Sequence, residues 1–334
     1  MMALKVQRAG ILSTVQDLGR YGYQRFGVPV GGVMDVYSHR LANLLVGNEE
    51  YEATLEITLA GPRLEFTEDA LIGICGGDFT PAIGGKKVLT ARPVLVAKGS
   101  VLDFGTCRLG CRAYLAIAGG YDVPAVMGGK GTYLRGGFGG FEGRALRRGD
   151  VVPIGEGGAG LYPGLRAQID GGAAFAYPRW AVNAHSAFLA HDHHHIHFVP
   201  GRHWDLFSEQ SQQQFAGVEY RIATDSDRMG YRLEGPTLEL KEPVDILSEA
   251  VTFGSIQVPP DGRPIVLMAN RQTTGGYPRI GEVATVDLPL LAQLPPGDTV
   301  RFEAMTLEDS QRLYIQRERD LGIMREALRM RMKE

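Results

Sequence analysis

Paired glycines punctuate this chain and limit what it can fold into. The 334 residues include 45 glycines, many in doublets such as Gly31–Gly32 and Gly275–Gly276. Short apolar runs, for example residues 113–118 and 264–268, lie between the doublets. Glycine permits the positive φ angles of tight turns, and short apolar runs bounded by Gly and Pro are typical of buried strands. The pattern predicts a mainly β protein built from barrels or sandwiches.

The composition indicates a globular protein and excludes several classes. Apolar residues make up 44% of the chain and charged residues 22%, and the net charge is −3. This balance provides no general attraction to nucleic acid or to an anionic membrane. The start of the chain is too short in apolar residues for a signal peptide, and no apolar run is long enough to cross a bilayer. We expect a cytoplasmic protein whose cysteines, Cys75, Cys107 and Cys111, are reduced core thiols.

Helical patterns appear in two parts of the chain. Helical periodicity covers residues 34–47, with Asp35 as its N-cap, and returns at residues 306–332, where Gly322 weakens the pattern. The second helix is expected to pack on the last barrel, with a partner-binding tail as the alternative.

A stretch rich in Gly, Ala and Pro at residues 155–179 is the best boundary between domains. We expect a first β-barrel domain at residues 1–165 and a second at residues 180–310. A C-terminal helical tail follows at residues 311–334.

Several motifs that would indicate a particular reaction or cofactor are absent from the sequence. The chain has no G-x-x-x-x-G-K-[ST] phosphate loop, no G-x-S-x-G elbow and no H-E-x-x-H pair. Its nearest approach to the Met-Lys-Met of a biotin carrier is Met332-Lys333 in the tail. We therefore expect no biotin attached to this chain.

A histidine-rich run at residues 191–197 invites a metal interpretation. Alternate imidazoles on one face of a strand can chelate zinc, copper or nickel. A physiological site also needs a rigid third or fourth ligand, which the sequence does not supply. We expect a solvated loop with adventitious metal affinity and no metal site, so replacing His193, His194 and His195 with Ser should leave activity nearly unchanged.

Three polar segments combine hydrogen-bonding side chains with glycine, which lets a ligand approach the backbone. They are residues 14–22, 225–232 and 270–279. Arginines in the last two segments are planar donors suited to a carboxylate, carbamate or phosphate. The alternative is that pairs such as Asp17–Arg20 and Asp227–Arg228 only stabilise turns.

The sequence of these segments resembles that of one family. The matching stretches include TVQDLGRYGYQRFGVPVGGVMD at residues 14–35, SDRMGYRLEG at 226–235 and GSIQVPPDGRPIVLMANRQTTGGYPRIGEV at 254–283. They resemble the biotin-dependent carboxyltransferase-like family, also called allophanate hydrolase subunit 2. The resemblance runs from about residue 4 to about residue 310. It implies two cyclophilin-like β-barrel domains, with a few short helices and a C-terminal helix.

The resemblance also implies a set of functions. The family includes the C subunit of 5-oxoprolinase, which with a KipI-like B subunit and an A subunit converts 5-oxo-L-proline to L-glutamate using ATP. It also includes one half of the carboxyltransferase domain of urea carboxylase, and an antagonist, KipA, of a KipI-like histidine-kinase inhibitor. We expect the first function, with a carboxyltransferase acting on urea or a related amide and the regulatory antagonist as alternatives. ATP would bind in the complex, at residues that the sequence does not identify.

The expected site lies on the second barrel. Two segments, residues 226–232 and 272–279, must meet there for their arginines to bind one anion. Ser248 and Glu249 are expected near the same mouth, with Glu249 as a candidate general base. The expected catalytic residues are Arg228, Arg232, Gln272, Glu249 and Arg279. The expected substrate-binding residues are Ser226, Asp227, Ser248, Thr273, Thr274, Gly275, Gly276 and Tyr277.

Half of a composite site has no function alone, so the resemblance also predicts an obligate partner. We expect the chain to copurify with the KipI-like B subunit through a large apolar interface, and to be a homo-oligomer of low activity when alone.

Overall fold

The chain is mainly β, as the glycine pattern predicts. A computed structural model describes residues 2–158, 160–183 and 194–334. In these ranges, no helix has the length and apolar character that crossing a membrane requires. Cys75 and Cys111 are buried, Cys107 is partly buried, and all three are free thiols, as expected.

The chain divides into two compact units that are not contiguous in sequence. The first unit contains residues 1–20, 35–190 and 320–334, and the second contains residues 21–34 and 191–319.

These units differ from the expected linear boundaries at 1–165, 180–310 and 311–334. Met34 is buried in the core of the second unit, which explains why its segment groups there. Leu321 and Leu328 are buried, and the N–H of Tyr162 donates to the carbonyl of Met332 at 2.8 Å. The end of the chain is therefore part of the first unit.

The first unit consists of two sheets around one core. Its strands are β1 (Ala3–Arg8), β2 (Leu12–Gln16), β3 (Thr54–Thr58), β4 (Arg63–Phe66), β5 (Ala70–Asp78), β6 (Ala82–Ile83), β7 (Lys86–Lys87), β8 (Pro93–Val96), β9 (Val101–Asp103), β10 (Leu109–Ile117), β11 (Val151–Pro153) and β12 (Phe175–Ala176). Among the described residues they pair in the orders β11-β1-β4-β9-β6-β7 and β12-β8-β5-β10-β3-β2. Leu4 and Phe66 of one sheet and Ile72 and Leu115 of the other belong to the same apolar cluster.

Helix α1 (Val36–Leu45) confirms the first predicted helix. Asp35 caps it by accepting a hydrogen bond from the Ser38 N–H at 2.9 Å. The helix packs closely on β5 because Gly73 has no side chain: a Cβ there would lie 2.5 Å from the Ala42 carbonyl oxygen. A second helix of this unit is α2 (Pro163–Asp170).

The second unit is a closed barrel with an outer ribbon. Its strands are β13 (His194–Pro200), β14 (Glu219–Ile222), β15 (Gly230–Glu234), β16 (Glu249–Ala250), β17 (Ser255–Gln257), β18 (Ile265–Leu267), β19 (Thr274–Gly275), β20 (Arg279–Val283) and β21 (Thr299–Ala304). The barrel order is β13-β20-β17-β18-β15-β14-β21. Strands β16 and β19 pair with each other outside the barrel and form the outer ribbon. Aromatic rings fill the barrel, with Phe215 and Phe302 stacked at a centroid distance of 4.8 Å.

Helices α3 (Glu209–Gly217), α4 (Leu288–Ala292) and α5 (Leu307–Arg331) complete the chain, with short 3-10 helices at Gln24–Phe26 and Trp204–Leu206. Helix α5 confirms the predicted C-terminal helix and continues through Gly322 without a break.

Candidate functional site

The polar segment near the N-terminus stabilises a loop of the first unit. Asp17 accepts a hydrogen bond from the Lys130 N–H at 2.6 Å. Arg20 is 2% exposed, donates to the Gly131 carbonyl, and lies over the Phe138 ring with its guanidinium carbon 4.9 Å from the centroid. Burial lowers the pKa of Arg20, against the charge of Asp17, which raises it. These contacts favour the turn-stabilising interpretation of Asp17 and Arg20.

Arg228 is buried and bound to backbone. It is 7% exposed, and its guanidinium donates to the Gly32 carbonyl oxygen. Asp227 accepts a hydrogen bond from the Met229 N–H at 2.7 Å, which closes a turn before β15. The Asn270 N–H donates to the Arg228 carbonyl oxygen at 2.7 Å, so the two predicted segments do meet, but through their backbones.

Arg232 lies on the exposed surface of β15. Its Nε is 3.2 Å from an Asp225 carboxylate oxygen, and its backbone N–H donates to the Ser226 hydroxyl at 3.1 Å. Arg232 therefore has a partner within the chain, as Arg228 does.

The outer ribbon brings together most of the other predicted residues. Glu249 of β16 pairs with Gly275 of β19, and Ala250 pairs with Thr274. A Cβ on Gly276 would lie 3.1 Å from the Ser248 hydroxyl oxygen. Ser248 and Glu249, which the sequence places near the segment at residues 272–279, are therefore its neighbours in the ribbon.

Gln257 lies beneath this ribbon, and sequence reasoning missed it. It is 2% exposed, and its amide accepts a hydrogen bond from Gln272 at 3.3 Å and donates to the Tyr277 carbonyl oxygen at 3.4 Å. A Cβ on Gly275 would lie 2.4 Å from the Gln257 Nε2, so only glycine lets the ribbon approach this amide. The signal was available, because Gln257 lies in the segment that carries the family resemblance.

A network of charges connects the ribbon to the barrel. Arg279 donates to Glu249 at 2.7 Å and to Glu282 at 3.2 Å, and Arg202 is 3.1 Å from Glu249. Glu282 also accepts hydrogen bonds from Ser255 at 2.8 Å and from Thr252 at 2.9 Å, so both of its carboxylate oxygens have donors. Arg279 therefore binds two carboxylates of the protein.

The protonation of Glu249 bears on its predicted role. Its burial acts to raise the pKa, but the hydrogen bond and charge of Arg279, with the charges of Arg202 and His203, leave the pKa below its usual value. A carboxylate with a lowered pKa is a weak base. The geometry favours Glu249 as the residue that positions the ribbon.

His203 is a neighbour that the sequence did not single out. Its Nδ1 accepts the backbone N–H of Arg279 at 3.1 Å, which places the proton of the neutral ring on Nε2. Burial lowers the pKa of His203, Glu249 raises it, and the two arginines lower it, with a net decrease. The imidazole is therefore neutral at neutral pH.

A groove of about 770 Å³ lies in the second unit next to the end of the ribbon. Gly276 and Tyr277 line one side of it, and residues 243–246 and 258–262 line others. Its size is in the range of small-molecule sites.

Two histidines of the run lie next to carboxylates of the second unit. His197 Nδ1 is 2.7 Å from Asp287, and His195 Nδ1 is 3.7 Å from Glu303. Residues 191–193 lie outside the described residues. In the part of the chain that the structure describes, no cluster of three or more metal-ligating side chains occurs.

The charge network does not fit a nucleotide. A triphosphate needs several free cations or backbone N–H groups, whereas Arg279 and Arg202 are bound to Glu249.

Comparison with known proteins assigns the fold to a family. The family model described as "Carboxyltransferase domain, subdomain A and B" matches residues 26–304. The chain is 37% identical to the C subunit of 5-oxoprolinase from Haemophilus influenzae, over 90% of this chain and 91% of that protein. It is 36% identical to the C subunit of 5-oxoprolinase from Escherichia coli, over 92% and 93%.

A solved structure shows the same architecture in a larger protein. The urea carboxylase of Kluyveromyces lactis matches with a TM-score of 0.83 and 31% identity. The match covers 96% of this chain and 29% of that chain.

Proposed function

The chain belongs to the carboxyltransferase domain family, and from this premise we propose that it is the C subunit of an ATP-dependent 5-oxoprolinase. The complex would open 5-oxo-L-proline to L-glutamate together with a KipI-like B subunit and an A subunit. The observation that carries the proposal is identity of 37% and 36% to two proteins of that name, each matched over more than nine-tenths of its length.

The reaction requires activation of a stable amide. The lactam oxygen attacks the γ-phosphorus of ATP, which forms a C–O–P bond and releases ADP. Water then adds to the activated carbon, the ring C–N bond breaks and the nitrogen takes a proton, which leaves γ-glutamyl phosphate. A second water hydrolyses this acyl phosphate to L-glutamate and phosphate. The protein must orient the substrate carboxylate and stabilise charge on the oxygen. We place the nucleotide on another protein of the complex, because the charge network of this chain does not fit it.

In this proposal the outer ribbon is this chain's part of a composite site. Ser248, Gln272 and Tyr277 lie on or next to it. The Glu249–Arg279 ion pair, 2.7 Å long, positions the ribbon on the barrel. Arg228 and Arg232 stabilise the fold in this proposal, since each has its own partner within the chain.

A carboxyltransferase acting on urea or a related amide is the second candidate. The family name and the 31% identity to a urea carboxylase structure favour it. It would require a separate biotin carboxylase and biotin carrier. A regulatory role, as an antagonist of a KipI-like kinase inhibitor, would use the same partner and stays a prediction.

The test is co-expression of this chain with its KipI-like B subunit and its A subunit, followed by an assay of 5-oxo-L-proline-dependent ATP hydrolysis. We expect stoichiometric ADP and L-glutamate, with no effect of avidin. Tyr51→Ala, at an exposed position of the first unit, is a matched control for Tyr277→Ala, which should lower turnover. Avidin-sensitive, bicarbonate-dependent ATP hydrolysis with urea would instead establish the carboxyltransferase.

A further inference from the structure

Two consecutive residues after β18 have polar groups that the described protein leaves without partners. Asn270 and Arg271 lie in a turn whose backbone is fixed by two hydrogen bonds. The Asn270 N–H donates to the Arg228 carbonyl oxygen at 2.7 Å, and the Arg271 N–H donates to that of Met268 at 3.1 Å. Their side chains therefore start from well-defined positions at one end of the barrel.

The Arg271 side chain is oriented without an ion pair. Its Nε donates a long hydrogen bond, 3.4 Å, to the Val251 carbonyl oxygen, and its guanidinium carbon is 6.0 Å from the centroid of the Phe253 ring. Within the described ranges, no carboxylate lies at ion-pair distance from it. The terminal nitrogens of the guanidinium thus have no acceptor from that part of the protein.

The charge of Arg271 is also not balanced by its surroundings. Glu282 is the nearby carboxylate, and its oxygens already accept from Arg279, Ser255 and Thr252. Burial lowers the pKa of Arg271, against Tyr21 and Glu282, which raise it. The guanidinium remains protonated, because its ordinary pKa is far above neutrality. The partly buried positive charge of Arg271 is therefore not neutralised by a carboxylate of its own.

The amide of Asn270 indicates a ligand independently of Arg271. The residue is 6% exposed, and its Oδ1 is enclosed and has no hydrogen-bond partner in the described protein. Buried polar atoms almost always have partners, and an exception calls for an explanation. A ligand that donates an N–H to this oxygen would supply the missing partner.

We propose that Arg271 and Asn270 form a binding site for a small, singly charged carboxylate. Guanidinium and carboxylate match in a planar, two-point geometry, and the Asn270 Oδ1 would accept a hydrogen bond from an N–H group next to that carboxylate in the ligand. A single carboxylate matches one surplus positive charge, whereas a dianionic phosphate would be repelled by Glu282. The inference rests on the proposed function in one respect: the ligand is then the carboxylate of 5-oxo-L-proline, and Arg271 is a specificity-determining residue.

Chemical modification of the complex tests the site without using its activity. Phenylglyoxal modifies free arginines, and peptide mapping gives the rate at Arg271, with Arg279 as an internal control because Glu249 and Glu282 occupy its guanidinium. We expect fast modification of Arg271, slowed about fivefold by 5-oxo-L-proline at a concentration several times its Kd. The neutral 5-oxo-L-prolinamide and inorganic phosphate should not protect. Equal protection by the neutral amide, protection by phosphate alone, or no protection would each overturn the proposal.

Kinetics of the same complex separate this inference from the proposed function. Arg271→Lys should raise the KM for 5-oxo-L-proline by about tenfold with a small change in kcat, and Arg312→Lys, at an exposed ion pair on α5, should change neither. An unchanged KM in Arg271→Lys overturns the inference while leaving the proposed function intact. A wild-type complex that does not hydrolyse 5-oxo-L-proline overturns the proposed function, and protection of Arg271 by acetate would then still support the carboxylate site. The labelling uses wild-type protein, so a variant that fails to fold does not remove the test.

Discussion

The guanidinium of Arg228 donates to the backbone carbonyl of Gly32, which lies 196 positions earlier in the chain. This hydrogen bond ties the segment at residues 21–34 to the turn that precedes β15. Both partners belong to the second unit. Arg228, which the sequence analysis expected to bind a ligand, therefore stabilises the fold of the second unit.

Arg228→Ala should destabilise the protein, because it leaves the Gly32 carbonyl without its charged donor. Loss of a buried hydrogen bond to a charged group costs about 2 kcal/mol, or a decrease of roughly 4–8 °C in Tm. Calorimetry of the purified chain measures this effect. Arg232→Ala is the control, since its exposed ion pair should contribute less than about 1 kcal/mol. If Arg228→Ala melts like the wild type but its complex loses turnover, the catalytic role expected from the sequence is restored.

The Glu249–Arg279 ion pair should give the stability of the second unit a dependence on acid. The pKa of Glu249 is lowered in the folded state, so its contribution is complete above the unfolded value of about 4.3 and is lost as the pH falls through the folded value. Glu249→Gln should therefore cost about 1 kcal/mol or less at pH 7, with the difference vanishing once the pH is below the folded pKa of Glu249. Urea unfolding at a series of pH values measures this. A difference that grows on acidification would contradict the assigned ion pair.

Gly275→Ala should separate the ribbon from the barrel and lower activity. The new methyl group would lie 2.4 Å from the Gln257 Nε2, so the amide or the ribbon must move. We expect a folded barrel, a Tm within a few degrees of the wild type, and a large loss of turnover in the reconstituted complex. Gly217→Ala is the matched control, because nothing lies within 4 Å of a Cβ there. Full activity of Gly275→Ala would show that the ribbon does not contribute to the site.

Gly140→Ala should destabilise the first unit much more than Gly137→Ala. Both glycines have positive φ angles, +56° and +65°, so both substitutions carry the same backbone cost of about 1–2 kcal/mol. Only at Gly140 does the new Cβ collide with the protein, 1.8 Å from the Thr132 Oγ1. Chemical denaturation of the two variants isolates the collision from the backbone strain. Equal stabilities would mean that the loop bound by Arg20 is free to adjust.

Local features of the structure were predictable from the sequence. Asp35 caps α1 where its side-chain type predicts a helix start, and glycine doublets separate the strands. These features depend on neighbours a few residues away, which the sequence displays directly. The grouping of Met34 with the second core was not predictable, because it depends on packing partners more than 150 positions away.

The proximity of the ribbon segments was predictable from the sequence, but the roles of their residues were not. Sequence reasoning placed Ser248, Glu249 and Gly275 together, and the ribbon brings them together. It could not distinguish Arg228 from Arg271, because a guanidinium binds a backbone carbonyl or a ligand carboxylate with the same donors. Only burial and the identity of the acceptor separate the two cases.

The interleaved order of the two units has a consequence for synthesis on the ribosome. Translation delivers residues 21–34 long before the strands of the barrel to which they belong, and it delivers residues 320–334 after everything else in the first unit. Residues 21–34 therefore cannot pack against the strands of the barrel until those strands have been synthesised. The first unit, although begun first, is completed last. Its burial of Leu321 and Leu328 therefore comes only after the strands of the barrel have been synthesised.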